Sequence, residues 1–192
     1  MSRVPFRNSE HAARKQDSVP ARVPSHELEL RQLVGSCRRG HPVSPASASR
    51  IAELVPKLQV EKVAAVAIEA REQMNLTHIS ILVVREMCRH KTHRALVAET
   101  LARVARQPED LIEFVAMYWK DGRVPLSTQA KKGLAQAFPK FDERQLAACK
   151  PKGGIKLRDV LFLSHAKPRD EAQAAIWKRL IWGRLRKNPI DG

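Results

Sequence analysis

The fold class of this chain depends on residues 77–90, THISILVVREMCRH, because this segment is compatible with either a strand or a helix. Its first half is apolar and β-branched, a composition that is common in strands. The segments on both sides, VEKVAAVAIEAREQM (60–74) and HRALVAETLARVAR (93–106), are rich in Ala, Leu, Glu and Arg, which favour helices. We therefore predict that residues 77–90 also form a helix.

The remaining sequence predicts short helices joined by turns. Pro108 suits a first helical position, and residues 170–187 form a last helix that starts acidic and ends basic. Residues 38–49, RRGHPVSPASAS, are predicted as a loop because Gly, Pro and Ser interrupt regular structure. The residues predicted to cap helices are Ser25, Ser49, Thr92, Ser127 and Asp142.

These segments predict an all-α protein of roughly nine or ten helices, arranged as a HEAT-like helical-repeat (α-solenoid) arc. The predicted α-helical domain covers residues 25–188. Residues 1–24 are Pro-containing and basic and are predicted as a flexible basic arm, and residues 189–192 form a tail.

The charge of the chain predicts a polyanionic partner. The net charge is +15 and the pI is near 10.4. Residues 121–192 hold 16 Lys and Arg against 7 Asp and Glu, whereas residues 41–120 hold 11 against 9. Such a field attracts RNA, DNA or an anionic membrane, but no apolar run approaches the roughly 20 residues of a membrane span. We therefore predict a nucleic-acid partner and no membrane partner.

The spacing of the cysteines and the absence of known catalytic motifs argue against a metal site, a cofactor and an enzymatic activity. Cys37, Cys88 and Cys149 are far apart, which predicts a reducing compartment, the cytoplasm. No P-loop, GxGxxG, GxSxG or HExxH motif occurs, so we predict no enzyme, no cofactor and no small-molecule substrate. Cys88, His90 and His93 resemble a partial zinc site, but only three ligands are present, without CxxC or HxxxH spacing, and a buried thiol beside two solvated imidazoles is the better explanation. We predict no metal there.

Residues 156–168, KLRDVLFLSHAKP, place titratable and cationic groups where an apolar helix ends. The helical spacing predicts a buried face that includes Phe162, and it places His165 within about 20° of Arg158. Such a face, with cations before and after it, suits phosphates and base edges or 2′-hydroxyls. The alternative is that His165 and Lys167 only cover the carbonyls of the helix C-terminus.

Several segments of this chain resemble the TROVE domain of the Ro autoantigen family, and the resemblance spans about residues 28–182. The segment at 156–168 is the most specific of them. The others are LRQLVGSC (30–37), REMCRH (85–90), HRALVAETLARV (93–104) and GRVPLSTQAKKGLAQAFPKFDERQLA (122–147).

The resemblance implies an α-helical, HEAT-like ring that binds small non-coding Y RNAs on its outer surface and takes single-stranded RNA ends into its central hole. The family's Y-RNA-binding histidine falls on His165, and a basic position falls on Lys152. Another basic position falls on Ala148, with Lys150 two places further along. The complete set of predicted RNA-binding residues is His165, Lys152, Lys150, Lys156, Arg158, Lys167, Arg169, Lys131 and Lys132.

The chain departs from the family in two respects. Residues 38–49 replace an acidic and aromatic segment, and no DxSxS motif of the family's von Willebrand-type A domain occurs. About four or five helical pairs predict an open arc and a monomer. We expect a ribonucleoprotein component that binds small structured RNA in RNA quality control. The alternative is a helical-repeat protein-interaction scaffold or a truncated remnant without RNA function.

Overall fold

A computed structural model describes residues 25–37, 41–120 and 125–182. Within these ranges the chain forms ten α-helices and no strand, which confirms the all-α prediction. The helices are α1 (His26–Gly35), α2 (Pro45–Leu54), α3 (Val60–Glu72), α4 (Thr77–Arg89), α5 (Arg94–Val104), α6 (Pro108–Lys120), α7 (Thr128–Ala137), α8 (Glu143–Ala148), α9 (Leu157–Ser164) and α10 (Glu171–Trp177). None of these helices is long and apolar enough to cross a membrane.

Helix α4 is the central element, and its position explains its β-branched composition. It contacts α2, α3, α5 and α6. A helix that is apolar on most sides is stable only when it is buried on most sides. The side chains of Ile81, Val83 and Val84 are fully buried, and the Ser80 hydroxyl donates a 2.6 Å hydrogen bond to the Ala67 carbonyl of α3. Tertiary packing therefore favours the helix over the strand in this segment.

Eight of the ten described helices form two series of sequential contacts, here called rows. In one row α1, α3, α5 and α7 contact one another in order, and in the other α2, α4, α6 and α9 do so. The rows contact each other through α1 with α2, α3 with α4, α4 with α5, and α7 with α9. Helices α5 and α7 approach closely at Gly133, where an added Cβ would lie 3.1 Å from the Ala98 Cα and 3.1 Å from Leu101.

Two predicted helix starts are wrong. Helix α2 begins at Pro45, so the predicted loop at 38–49 ends earlier, and Ser44 rather than Ser49 is the cap, accepting a 3.0 Å hydrogen bond from the Ser47 amide. Pro is favoured at the first helical position because it has no N–H to leave unsatisfied.

The second wrong start is that of α5. This helix begins at Arg94, and the residue at its cap position is His93. Thr92 lies in the short 3₁₀ turn Lys91–His93, and its hydroxyl contacts the His93 ring at 2.9 Å instead of capping the helix.

The C-terminal segment also differs from the single predicted helix. Helix α10 begins at Glu171, one residue after the predicted start, with Asp170 as its cap, and it ends at Trp177 and continues as a π turn, Lys178–Trp182. The rest of the predicted helix, the predicted arm at 1–24 and the predicted tail at 189–192 lie outside the described residues.

Candidate nucleic-acid interface

His165 lies at the C-terminal end of α9 in a left-handed backbone conformation, with φ 52° and ψ 29°. Among residues other than glycine, histidine is one of those that adopt this region more readily. Its side chain is exposed, and its amide donates to the Phe162 carbonyl at 3.4 Å. Because the chain leaves the helix here, the predicted alignment of His165 with Arg158 on one helical face is wrong.

Two buried polar side chains hold the loop that follows α9. The Ser164 hydroxyl donates to the Leu161 carbonyl at 3.0 Å and accepts from the Ala166 amide at 3.2 Å. Gln173 of α10 accepts from the Arg169 amide at 2.8 Å through its Oε1. Its Nε2 donates to the carbonyl of Pro139 at 2.9 Å. The exposed side chains of this loop therefore extend from a backbone that is anchored at both ends.

Phe162 does not belong to the core, although the helical spacing predicts it there. Its side chain is 71% exposed, while Val160 and Leu161 are buried. Position 162 lies about 140° around the helix from Leu157 and about 160° from Val160. This angular separation, which can be calculated from the sequence, indicates that Phe162 faces away from the core. The ring lies beside His165 on an open groove of about 390 Å³ between α9 and α10, here called the α9 groove.

Lys152 lies in a different, larger groove of about 820 Å³, here called the central groove. A tight turn positions it: Lys152 and Ile155 exchange backbone hydrogen bonds of 3.1 and 3.0 Å, and Gly153 and Gly154 between them have φ of 58° and 79°. Positive φ at both central residues is typical of a type I′ turn and favours glycine. Ile155 enters the core, and Lys152 extends towards α6.

The ammonium of Lys152 is held by a carboxylate. Its Nζ lies 3.0 Å from Oε2 of Glu113, whose other oxygen contacts Nδ1 of His78. The Glu113 side chain is 11% exposed. Burial acts to raise the pKa of this carboxyl, but hydrogen bonds from His78 and Lys152 outweigh burial, so the pKa lies below its ordinary value. Any phosphate that binds Lys152 therefore has to compete with Glu113, a contact that the sequence pattern did not reveal.

The other predicted cations lie on α7, on α9, on the segment before α9 and on the loop after it. Lys150, Lys156, Lys167 and Arg169 are exposed. Lys132 of α7 is exposed and its neighbour Lys131 is half-buried. The backbone amide of Lys150 donates to Glu109 at 3.1 Å, and that of Lys156 donates to Asp159 at 2.7 Å, so both contacts leave the ammonium groups available. Arg158 is half-buried, with its Nε 3.7 Å from Asp159.

Ion pairing differs sharply between the two parts of the chain. Most cations before residue 107 are paired with carboxylates: Arg31, Arg50, Lys62, Arg71, Arg85, Arg89, Arg103 and Arg106. After residue 124, the cations paired with carboxylates are Lys152, Arg158 and Arg179. Within the described part of the chain, no carboxylate pairs with the side chains of Lys131, Lys132, Lys140, Arg144, Lys150, Lys156, Lys167, Arg169 or Lys178.

The segment that resembles a partial zinc site does not form a ligand cluster. Among residues 25–37, 41–120 and 125–182, no three side chains of His, Cys, Asp or Glu group closely enough to hold a metal ion. Burial raises the pKa of Cys88 to about 11, so its sulfur is a neutral thiol at neutral pH, whereas zinc binds thiolate. The rings of His90 and His93 meet edge to face with centroids 5.9 Å apart.

We expect purified protein to contain far less than one equivalent of zinc per chain. Elemental analysis of protein prepared without chelators measures this directly, and His93→Ala is the comparison variant. Stoichiometric zinc that disappears in His93→Ala would show that these side chains rearrange to bind metal.

The described residues thus form an all-helical chain whose C-terminal part presents cations without a carboxylate partner and an exposed aromatic ring, Phe162. Comparison of the chain with protein-family models, with curated proteins and with solved structures finds no match.

Proposed function

We propose that this chain is a non-catalytic RNA-binding protein of the TROVE type, which binds small structured non-coding RNA as a component of a ribonucleoprotein. The observation that carries the proposal is that most described cations before residue 107 pair with carboxylates, whereas most described cations after residue 124 do not. Exposed cations without a carboxylate partner are available to phosphates, because no internal ion pair has to break first. Three of them, Lys156, Lys167 and Arg169, lie within or directly after the segment at 156–168, which also carries the resemblance to the TROVE domain.

The order in which the helices contact one another supports a HEAT-like helical-repeat arrangement. Each helix of a row contacts the next one of the same row, and the rows are joined by contacts between them. Stacked helix pairs of HEAT-like proteins have this neighbour order. A helical-repeat arrangement would present the loops between helices, including the loop after α9, along an extended binding surface.

Replacing His165 tests the proposed contact. We expect His165→Ala to weaken binding of a stem-loop RNA by about 1–3 kcal/mol, the loss of one good contact. Because Ala at φ 52° also carries a backbone cost, His165→Gly is the companion variant that removes the ring without that cost. Fluorescence anisotropy with labelled RNA gives the affinities, and thermal unfolding gives the folded fraction.

The matched control is His26→Ala, an exposed histidine on α1. This change is expected to leave RNA affinity unaltered. If both His165 variants bind RNA as the parent does, His165 makes no contact. If the variants lower the melting temperature but leave the RNA affinity per folded molecule unchanged, the His165 side chain stabilises the C-terminal end of α9 instead of contacting RNA. That result would support the capping interpretation.

A further inference from the structure

A groove between α3 and α5 is acidic, although the net charge of the protein is +15. This groove, here called the α3–α5 groove, has a volume of about 460 Å³. It is lined by four glutamates and one arginine: Glu61, Glu69, Glu72, Glu99 and Arg103. Apolar side chains of both helices lie between them: Ala64, Ala65, Ile68 and Leu96. The groove therefore suits a cationic segment that also has a small apolar side.

Two of the four carboxylates have no cationic partner in the described part of the chain. Glu69 and Glu72 are each paired with an arginine of a neighbouring helix. Glu61 of α3 and Glu99 of α5 are exposed, and no cation of the described residues lies within ion-pair distance of either. Their negative fields add within one cleft, so together they attract a cation more strongly than either does alone.

The segment that precedes α1 begins beside this groove and is basic. The Lys62 ammonium lies 2.8 Å from Glu27, which places the first turn of α1 against the first turn of α3. Residues 1–24, which lie outside the described residues, hold five Lys and Arg against two Asp and Glu. Within them, residues 11–16, HAARKQ, combine two alanines with two adjacent cations and contain no carboxylate.

The length of chain between this segment and α1 is sufficient to reach the groove. Ser25 lies nine positions after Gln16, and an extended chain of nine residues spans about 30 Å. The groove extends along α3 from Glu61 to Glu72, and the helical rise over these eleven positions is about 17 Å. A tethered segment also has a high effective concentration at its site, so a small number of weak contacts is enough to dock it.

We propose that residues 11–16 of the same chain dock in the α3–α5 groove, where Arg14 and Lys15 pair with Glu61 and Glu99 and the two alanines contact the apolar lining. This contact is internal to the chain and needs no RNA. Docking withdraws two cations from any polyanion and supplies partners for two carboxylates. Because exposed ion pairs contribute little individually and are screened by salt, the segment docks at low salt and is released as salt rises.

Limited trypsin digestion of the intact chain at about 50 mM salt tests the docking. In the double variant Glu61→Gln/Glu99→Gln, cleavage after Arg14 and Lys15 is expected to be about 2- to 10-fold faster than in the parent protein, because two exposed ion pairs are lost. Cleavage after Arg7, which precedes the docked segment, is expected to be the same in both proteins and is the internal reference.

The matched control is the double variant Glu53→Gln/Glu171→Gln, which removes the same charge from two exposed glutamates outside the groove. Its cleavage is expected to match that of the parent protein. Equal cleavage after Arg14 and Lys15 in the parent protein and in the groove variant overturns the inference.

Carbodiimide cross-linking identifies the occupant of the groove. The reagent joins an amine directly to a carboxylate, and Lys15 is the only lysine among residues 1–24. Mass spectrometry is expected to find Lys15 joined to Glu61 or Glu99 in a product that migrates as a single chain. If these links occur only in dimers, a second copy fills the groove. If Lys15 is joined only to other carboxylates, or to none, the segment does not dock there. Either result shows that the inference is wrong.

Discussion

RNA affinity is expected to fall by roughly 10²- to 10³-fold when salt is raised from about 50 to about 200 mM, provided that about five cations contact phosphates. Each neutralised phosphate of a duplex releases condensed counterions, so the logarithm of the affinity falls linearly with the logarithm of salt. We expect these contacts to come from the exposed cations that have no carboxylate partner among the described residues, on α7 and in the segments before and after α9. Affinity measured over a salt series gives the slope.

Single substitutions show which cations contribute to that slope. Lys167→Gln or Arg169→Gln should each reduce it by about one unit if the side chain contacts a phosphate. Lys62→Gln is the matched control, because the Lys62 ammonium is already paired with Glu27 at 2.8 Å. A flat salt response of the parent protein would rule out RNA binding by the unpaired cations. Lys152→Ala is a less selective probe, since it also removes the ion pair to Glu113.

Arg71→Met is expected to lower the free energy of unfolding by about 3–5 kcal/mol, because it leaves a buried carboxylate without its cationic partner. The Arg71 side chain is 6% exposed and joins three segments. Its Nε donates to the Val104 carbonyl at the end of α5 at 3.1 Å, Nη1 donates to Asn75 at 2.7 Å, and Nη2 lies 3.5 Å from Asp110 of α6. Burial raises the pKa of Asp110, and Arg71 acts against that effect.

Urea denaturation of the parent protein and of Arg71→Met measures the difference in their free energies of unfolding. Arg103→Met is the control, since Arg103 pairs with Glu72 on the surface, where solvent screens ion pairs and they contribute little to stability. A loss of stability for Arg71→Met no larger than that of the control would mean that solvent replaces the Arg71 contacts. The double change of Arg71 to Met and Asp110 to Asn should recover part of the loss, because it removes both buried charges and keeps an acceptor for the Arg106 and Gln107 amides.

Only some features of the candidate site could be predicted from the sequence. His165 is exposed at the end of its helix, in agreement with the pattern at 156–168, but its backbone conformation removes it from the face on which the helical spacing placed it. Phe162 was misassigned because an apolar residue in an apolar run suggests the core. Gln173, which holds the backbone of the loop after α9, lies in a different helix and carries no local signal of that role.

The helical class follows from interactions between residues close in sequence. Helix caps, helix propensities and the spacing of apolar residues act within about one turn, so they can be recognised in a linear sequence. The β-branched segment at 77–90 is the exception, because its burial against α2, α3, α5 and α6 favours the helix. The pairing of charges follows from contacts between distant residues. Glu113 and Lys152 are separated by 39 positions, and Arg71 and the Val104 carbonyl by 33. Since Coulomb attraction and hydrogen bonding depend on distance in space, the folded arrangement of the rows determines which cations are neutralised and which remain available to a polyanion.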